Sequence, residues 1–227
     1  MLKKLMRHLM LKPQALRVTR IENDYDQTFT YWMKPKGRIE FTAGQFAHLI
    51  APKEGIDKST VRHMSIASAP QDEELLFSMS VASKSVYKKR FADVKVGDKV
   101  QLFRISGEFT LEGIPEGSEL VFIAGGIGIT PIRSLIREIE LRRLNYPWAF
   151  IHVARNYLYK EDLAQYSNPQ THIGRKDVPD TIAKTVAEKP EAWYFVSGSE
   201  NFIENLADRI AEHGVDRTRI RTENFNH

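Results

Sequence analysis

Apolar positions in the first half of the chain come in short runs that alternate with polar ones. The runs at 15–21, 28–33, 45–51, 61–68, 75–81 and 99–105 each end in glycine, proline or charged residues. Period-two segments of this length, separated by turn residues, predict β-strands arranged as a sandwich or small barrel. Glu22-Asn23-Asp24 and Val96-Gly97-Asp98 read as turns, and 85–92 as a single intervening helix.

After EGIPEGS at 112–118 the texture changes. A strongly apolar strand at 119–124 and further strands at 148–154, 171–174, 192–197 and 219–222 alternate with helical periodicity. Ile132, Leu135, Ile136 and Ile139 share one helical face, and Phe202, Leu206 and Ile210 repeat every four residues. Further helices are expected at 160–166, 180–188 and 200–213. Strand–helix alternation implies a parallel sheet covered by helices, with right-handed crossovers. The expectation is therefore two domains, an antiparallel β-barrel over 1–113 and an α/β parallel-sheet domain over 114–227.

Composition narrows the chemistry. The 227 residues contain no cysteine, which excludes a disulfide scaffold, a cysteine nucleophile and a cysteine-ligated cluster on this chain. A cysteine-free chain is compatible with a reducing cytoplasm, the expected location. The net charge of +4 permits acidic partners, but basic residues are spread out and not interleaved with aromatics, so nucleic acid is not indicated. The seven histidines lack paired metal-ligand spacing, and no metal is expected. The N-terminal MLKKLMRHLMLKP interleaves lysines with apolar residues. This favours a short helix packed on the body over a membrane-surface or partner-docking segment, and it makes a poor signal peptide.

The strongest motif is VFIAGGIGITPIRSLI at 121–136. A buried strand runs into Gly125, Gly126 and Gly128, and Thr130 and Pro131 are placed as N-cap and first helical residue. Glycines allow close backbone approach, and a helix N-terminus supplies N–H donors, a combination suited to a pyrophosphate. A tight strand–helix connection without a ligand is the alternative. The spacing is neither G-x-G-x-x-G nor a P-loop.

On these residues the chain resembles the ferredoxin–NADP reductase-like superfamily of flavin oxidoreductases. GGIGITP is similar to its nicotinamide-nucleotide loop, AGQF at 43–46 to the turn before a flavin-domain strand, and RHMSIAS at 62–68 to its flavin motif. GEFTL at 107–111 resembles the flavin-phosphate loop and TENF at 222–225 the C-terminal signature. SGS at 197–199 stands where the family has Cys-Gly-Pro.

The resemblance implies FAD, in preference to FMN, held by Arg62, His63, Met64, Ser65, Val81, Lys84, Gly107, Glu108, Phe109 and Thr110. It implies NADP(H) or NAD(H) held by Gly125, Gly126, Gly128, Thr130, Pro131, Arg155, Arg175, Gly198 and Phe225. Hydride would pass from the nucleotide to the flavin with Ser65, Ser197 and Glu223 as catalytic residues, and electrons would leave for an acidic ferredoxin or flavodoxin. Arg155 and Arg175 lean the nucleotide toward NADP(H).

Two positions depart from the pattern. Met64 stands for a stacking aromatic and Ser197 for the cysteine, so a non-catalytic or regulatory flavin- or nucleotide-binding electron-transfer subunit is the alternative function. Read on their own, Arg62 also fits a surface ion pair, Met64 a core residue, Ser197 a strand-end serine, His63 an exposed loop residue and Phe225 a patch on the core. Lys84, Lys88 and Lys89 fit a solvated helix face.

Overall fold

The computed structural model describes residues 13–52, 59–82 and 85–224. The chain divides into two units, 1–108 and 109–227.

The first unit is one antiparallel sheet of six strands: β1 (Gln14–Tyr25), β2 (Thr28–Pro35), β3 (Phe46–Ile50), β4 (Val61–Ser65), β5 (Leu75–Ser80) and β6 (Lys99–Ser106). Their order is β4-β3-β6-β1-β2-β5. Past β4 the chain runs on to the opposite edge, where Ala67 N–H donates to Leu76 O at 2.9 Å. Leu76 N–H also donates to Ser68 Oγ at 3.1 Å. The two edges thus meet in the expected barrel, which removes exposed edge strands. Inward residues such as Leu16, Val18, Met33, Leu49 and Phe77 fill it, and helix α1 (Val86–Ala92) plugs it with Tyr87 and Phe91.

The first turn lies later than the sequence suggests. β1 continues through Glu22-Asn23-Asp24, where Glu22 and Asn23 pair across to β2 and Asp24 is bulged, and the reversal falls after Tyr25, with Asp26 at φ +46°. These polar residues are accommodated because Asp24 Oδ2 accepts from Thr30 and Asn23 donates to Asp26 O.

The second unit holds five parallel strands: β7 (Leu120–Gly125), β8 (Trp148–Val153), β9 (Gln170–Ile173), β10 (Trp193–Gly198) and β11 (Ile220–Asn224), ordered β11-β10-β7-β8-β9. Its helices are α2 (Ile129–Arg142), α3 (Lys160–Leu163), α4 (Val178–Glu188) and α5 (Glu200–Glu212). The central strands β7, β8 and β10 are mostly apolar because both faces are covered, whereas β9 and β11 at the two edges carry polar residues. Val121, Ile123, Tyr194 and Val196 meet Ile182, Val186, Ile203 and Leu206 of α4 and α5. On the other face α2 lies over β7 and β10. There Phe195 packs edge-on against Phe109 at 5.1 Å and beside Phe122 at 5.3 Å. Residues 109–112 are tied into this unit, since Arg221 donates to the carbonyls of Thr110 and Glu112.

From β7 the chain winds outward through β8 and β9, then returns to lay β10 and β11 on the other side of β7. The order reverses between β7 and β10. In open α/β sheets the crevice beyond the carboxyl ends at such a switch point is where ligands bind.

Candidate functional site

In the first unit, strand pairing gathers three separated motifs. Phe46 is in register with Ser65 on β4 and with Ser106 on β6. The turn before β3 places Gly44 at φ +89°. The Gln45 side chain accepts from Thr42 N–H at 2.9 Å and donates to Gly107 O at 3.3 Å. Gly107 itself lies at φ +125°, and a Cβ there would come within 3.1 Å of the Phe46 ring. RHMS on β4, AGQF at the start of β3 and the glycine of GEFTL at the end of β6 are thus brought side by side.

Ser65 is buried, and its Oγ has no hydrogen-bond partner among the described residues. Arg62 is half-buried, with Nη1 donating to Val61 O at 2.7 Å and the guanidinium 5.8 Å from the Tyr87 ring centre. Lys88, expected on a solvated face, is instead half-buried, and burial together with the Arg62 charge lowers its ammonium pKa. The two cations are thus near enough for each charge to be felt by the other.

Other members of the predicted flavin set have different surroundings. His63 is not an exposed loop residue. It is a half-buried strand residue stacked on Phe46 at 5.0 Å and edge-on to His48 at 4.1 Å. Met64 is partly buried and packs on the barrel core, and Val81 is buried in that core. Glu108 is exposed, whereas Phe109 and Thr110 are buried in the second unit. Lys84 lies outside the described residues, as do the N-terminal segment 1–12 and Phe225.

In the second unit the carboxyl ends of β7, β10 and β11 come together. Ser197 lies in register with Ala124 on one side and Glu223 on the other, so the three side chains share a face. Ser197 is fully buried and its Oγ has no hydrogen-bond partner among the described residues. β11 extends beyond the predicted 219–222 as far as Asn224. Glu223 is thereby a buried strand residue, and burial pushes its carboxyl up to about 7.

The glycine loop is held closely against these ends. A Cβ on Gly128 would lie 2.3 Å from Ser197 O, and one on Gly125 or Gly198 would strike the Phe202 ring at 2.7 and 2.8 Å. Phe202, which the sequence shows only as an apolar helix position, is therefore the side chain against which both glycines pack. Residues 126–128 form a 3-10 turn that leads directly into α2. Helical conformation thus begins before Thr130, which is not the N-cap. Gly128 occupies that place, and Thr130 Oγ1 donates back to Ile127 O at 3.1 Å. Pro131 is buried in the first turn of α2, where its missing N–H costs no helical hydrogen bond.

Arg155 and Arg175 are both exposed. Each lies two residues past the paired Val153 and Ile173, so both follow the carboxyl ends of adjacent strands, Arg155 in a bend and Arg175 in a 3-10 turn. The helix expected at 160–166 shrinks to Lys160–Leu163. A buried Arg133 fixes its start through Asp162 at 2.7 Å and the Tyr159 ring at 4.8 Å. Among the described residues, no group of three or more His, Asp or Glu is placed to hold a metal, and no helix is long and apolar enough to cross a membrane.

Comparison with known proteins agrees with this architecture. No protein-family model matches the chain. It is 23% identical over 234 residues to a flavohemoprotein of Bacillus subtilis, spanning 92% of this chain and 58% of that protein. It is 31% identical over 129 residues to a flavodoxin/ferredoxin–NADP reductase of Rhodobacter capsulatus, spanning 56% of this chain and 47% of the relative. Both relatives are thus substantially longer than the segment that matches. Among solved structures, a ferredoxin NADP+ reductase from Neisseria gonorrhoeae with bound FAD and NADP superimposes with a TM-score of 0.77 at 18% identity, covering 94% of this chain and 98% of that one. The chain therefore shares the two-domain fold of that ferredoxin NADP+ reductase.

Proposed function

We propose that the chain is a flavin-dependent oxidoreductase that takes reducing equivalents from a nicotinamide nucleotide and passes electrons to a separate acceptor. FAD is the proposed flavin. One observation carries the reading: Ser65 Oγ and Ser197 Oγ are buried hydroxyls with no hydrogen-bond partner among the described residues. A buried polar group left unpaired costs about 1–3 kcal/mol, so each is best explained by a ligand atom that completes it. Both stand in motifs that resemble the family's contacts to the reacting ends of flavin and nucleotide.

The first unit's donor set fits a flavin nucleotide. Arg62 and Lys88 offer charge to a diphosphate, and Ser65 offers a hydroxyl to a ring heteroatom. In the second unit the glycine loop and the start of α2 offer backbone N–H groups to the dinucleotide phosphates. Ser197 and Glu223 stand side by side at the switch point, where the nicotinamide end would lie. With its carboxyl near 7, Glu223 is able to hold or release a proton at neutral pH. Bound in the first unit, the flavin would supply the two-electron acceptance and one-electron release that no side chain offers.

Arg155 and Arg175 support NADP(H) over NAD(H), because two cations after the carboxyl ends of adjacent strands suit a 2′-phosphate. The likeness to a flavodoxin/ferredoxin–NADP reductase and the net charge of +4 support an acidic ferredoxin or flavodoxin as acceptor, with association weakened by salt. The cytoplasm is the proposed setting.

Met64 favours a second reading, an electron-transfer or regulatory subunit with blunted turnover. Packed partly on the core, it gives a flavin ring no rigid stacking face.

Anaerobic titration of the purified protein with NADPH and NADH in parallel tests the proposal. Bleaching of bound flavin, with NADPH-dependent reduction of ferricyanide, is the expected result. A yellow protein that neither nucleotide bleaches would favour the second reading, and one that stays colourless with added FAD would overturn both. Arg62→Ala should weaken flavin about ten- to a hundredfold by removing a charge-assisted contact. Flavin retained undiminished after dialysis of that variant would displace Arg62 from the site.

A further inference from the structure

Gly126 lies at φ +56°, and nothing stands within 4 Å of where a Cβ would be. Conformation, not space, requires glycine there. The left-handed residue turns its carbonyl back toward the sheet, where Gly126 O lies 2.9 Å from His152 Nε2. A carbonyl oxygen can only accept, so Nε2 carries the proton and Nδ1 is bare.

His152 sits on β8, in register with Ala124, in a strand that is otherwise apolar. It is fully buried, and burial holds its imidazole down to about 4, so the ring is neutral at ordinary pH. Phe150 at 5.6 Å, Tyr157 at 5.4 Å and His172 at 6.2 Å pack around the ring and fix its orientation.

The described chain has no cis peptide bond, so the carbonyl of Gly126 and the N–H of Ile127 point in opposite directions. With the oxygen anchored on His152, the Ile127 N–H is turned away from the imidazole. A peptide that follows glycine reverses at little conformational cost, because both signs of φ are open to that residue. Reversal would put a carbonyl oxygen where the N–H had been. An anionic ligand at this loop is attracted by one orientation and repelled by the other.

We propose that His152 is a positioning residue for the nucleotide. Its Nε2–H locks the Gly126–Ile127 peptide with the Ile127 N–H directed outward, to donate to a phosphate of the dinucleotide. The proposal rests on the nucleotide-binding reading above and assigns that reading a residue outside the glycine motif.

His152→Phe keeps an aromatic side chain and removes the donor, while His152→Gln can return an amide N–H close to the Nε2 position. Calorimetric titration of the flavin-loaded protein with NADPH and NADH is the test. The Phe variant should bind the preferred nucleotide on the order of tenfold more weakly, with unchanged flavin content, and the Gln variant should recover most of the loss. A merely structural role would not distinguish Gln from Phe in this way. Equal affinity in the Phe variant and the unsubstituted protein would overturn the inference alone. Failure of the unsubstituted protein to bind either nucleotide would overturn the function proposal and this inference together.

If the Phe variant does not fold, spectra of the unsubstituted protein decide. Long-range proton–nitrogen correlation should show His152 protonated at Nε2, and nucleotide should shift the Ile127 amide proton downfield. A proton on Nδ1, or an Ile127 amide that does not respond to nucleotide, would overturn it.

Discussion

Gly128→Ala is expected to destabilise the second unit by on the order of 3 kcal/mol, whereas Gly126→Ala should cost only about 1–2 kcal/mol. The two glycines are needed for opposite reasons. Gly128 has φ −58°, a value any residue adopts, but its Cβ would lie 2.3 Å from Ser197 O and 2.6 Å from Ser197 C. Those are backbone atoms of β10, which the sheet holds against β7. Relief therefore requires the end of β10 to move away from the glycine loop, and Ser197 moves with it. Gly126 has open space but a left-handed backbone, so alanine there pays only conformational strain. Denaturant unfolding followed by the emission of Trp148, buried in this unit, measures both variants. At about 2–4 °C per kcal/mol for a chain of this size, Gly128→Ala should melt roughly 6–12 °C lower. A variant as stable as the unsubstituted protein would show that β7 and β10 do not approach this closely. Because the conflict lies within the second unit, the flavin proposed for the first should be retained.

What the sequence reveals depends on how locally each feature is determined. The run LVFIA at 120–124 reads as a strand because burial on both faces demands uninterrupted apolar residues, and both faces are indeed covered. The alternating first half likewise reads as a barrel because its strands bury one side each. The glycine motif is legible, but its physical reason is not. Ser197 lies 69 residues beyond Gly128, and only the crossover from β9 back to β10 brings them together. Thr130 has the residue type of an N-cap, yet the 3-10 turn before it starts the helix early, which no propensity encodes. Lys88 reads as solvated from its neighbours in sequence, whereas the barrel places Arg62 beside it.

His152 carries no metal-ligand spacing along the chain, so that criterion passes over it. A different signal is present: one polar residue inside WAFIHV, a strand apolar at every other position. A buried imidazole there has to find a partner, and the partner is Gly126.

Glu223→Gln is expected to stabilise the protein above neutral pH and to leave it nearly unchanged near pH 4.5. Burial raises the Glu223 carboxyl from 4.5 to about 7, so the folded state holds this proton more tightly than the unfolded chain does. Below about 4.5 both states are protonated and the carboxyl carries no ionisation penalty. Between about 4.5 and 7 the unfolded chain ionises first, and stability falls as pH rises. Above 7 the folded state bears an ionised buried carboxylate at a cost of about 3 kcal/mol, since each tenfold gain in proton affinity is worth about 1.4 kcal/mol. Glutamine has nearly the same shape and does not ionise, so it escapes the cost. Melting curves of both proteins should therefore diverge as pH rises, by roughly 6–12 °C at pH 8–9. Curves that stay parallel across the range would mean that Glu223 ionises as readily in the folded protein as in the unfolded chain.

The strand register explains why such a costly group can be useful. Glu223 is paired with Ser197, whose hydroxyl has no partner among the described residues, at the carboxyl ends of the strands beside the switch point of the sheet. A carboxyl that is half-protonated near neutrality can give or take a proton there, while a carboxylate at its ordinary value would remain ionised. The rate of nucleotide oxidation in the unsubstituted protein should accordingly change near pH 7, and Glu223→Gln should remove that inflection. An inflection that survives the substitution would assign it to another group and leave Glu223 with an effect on stability alone.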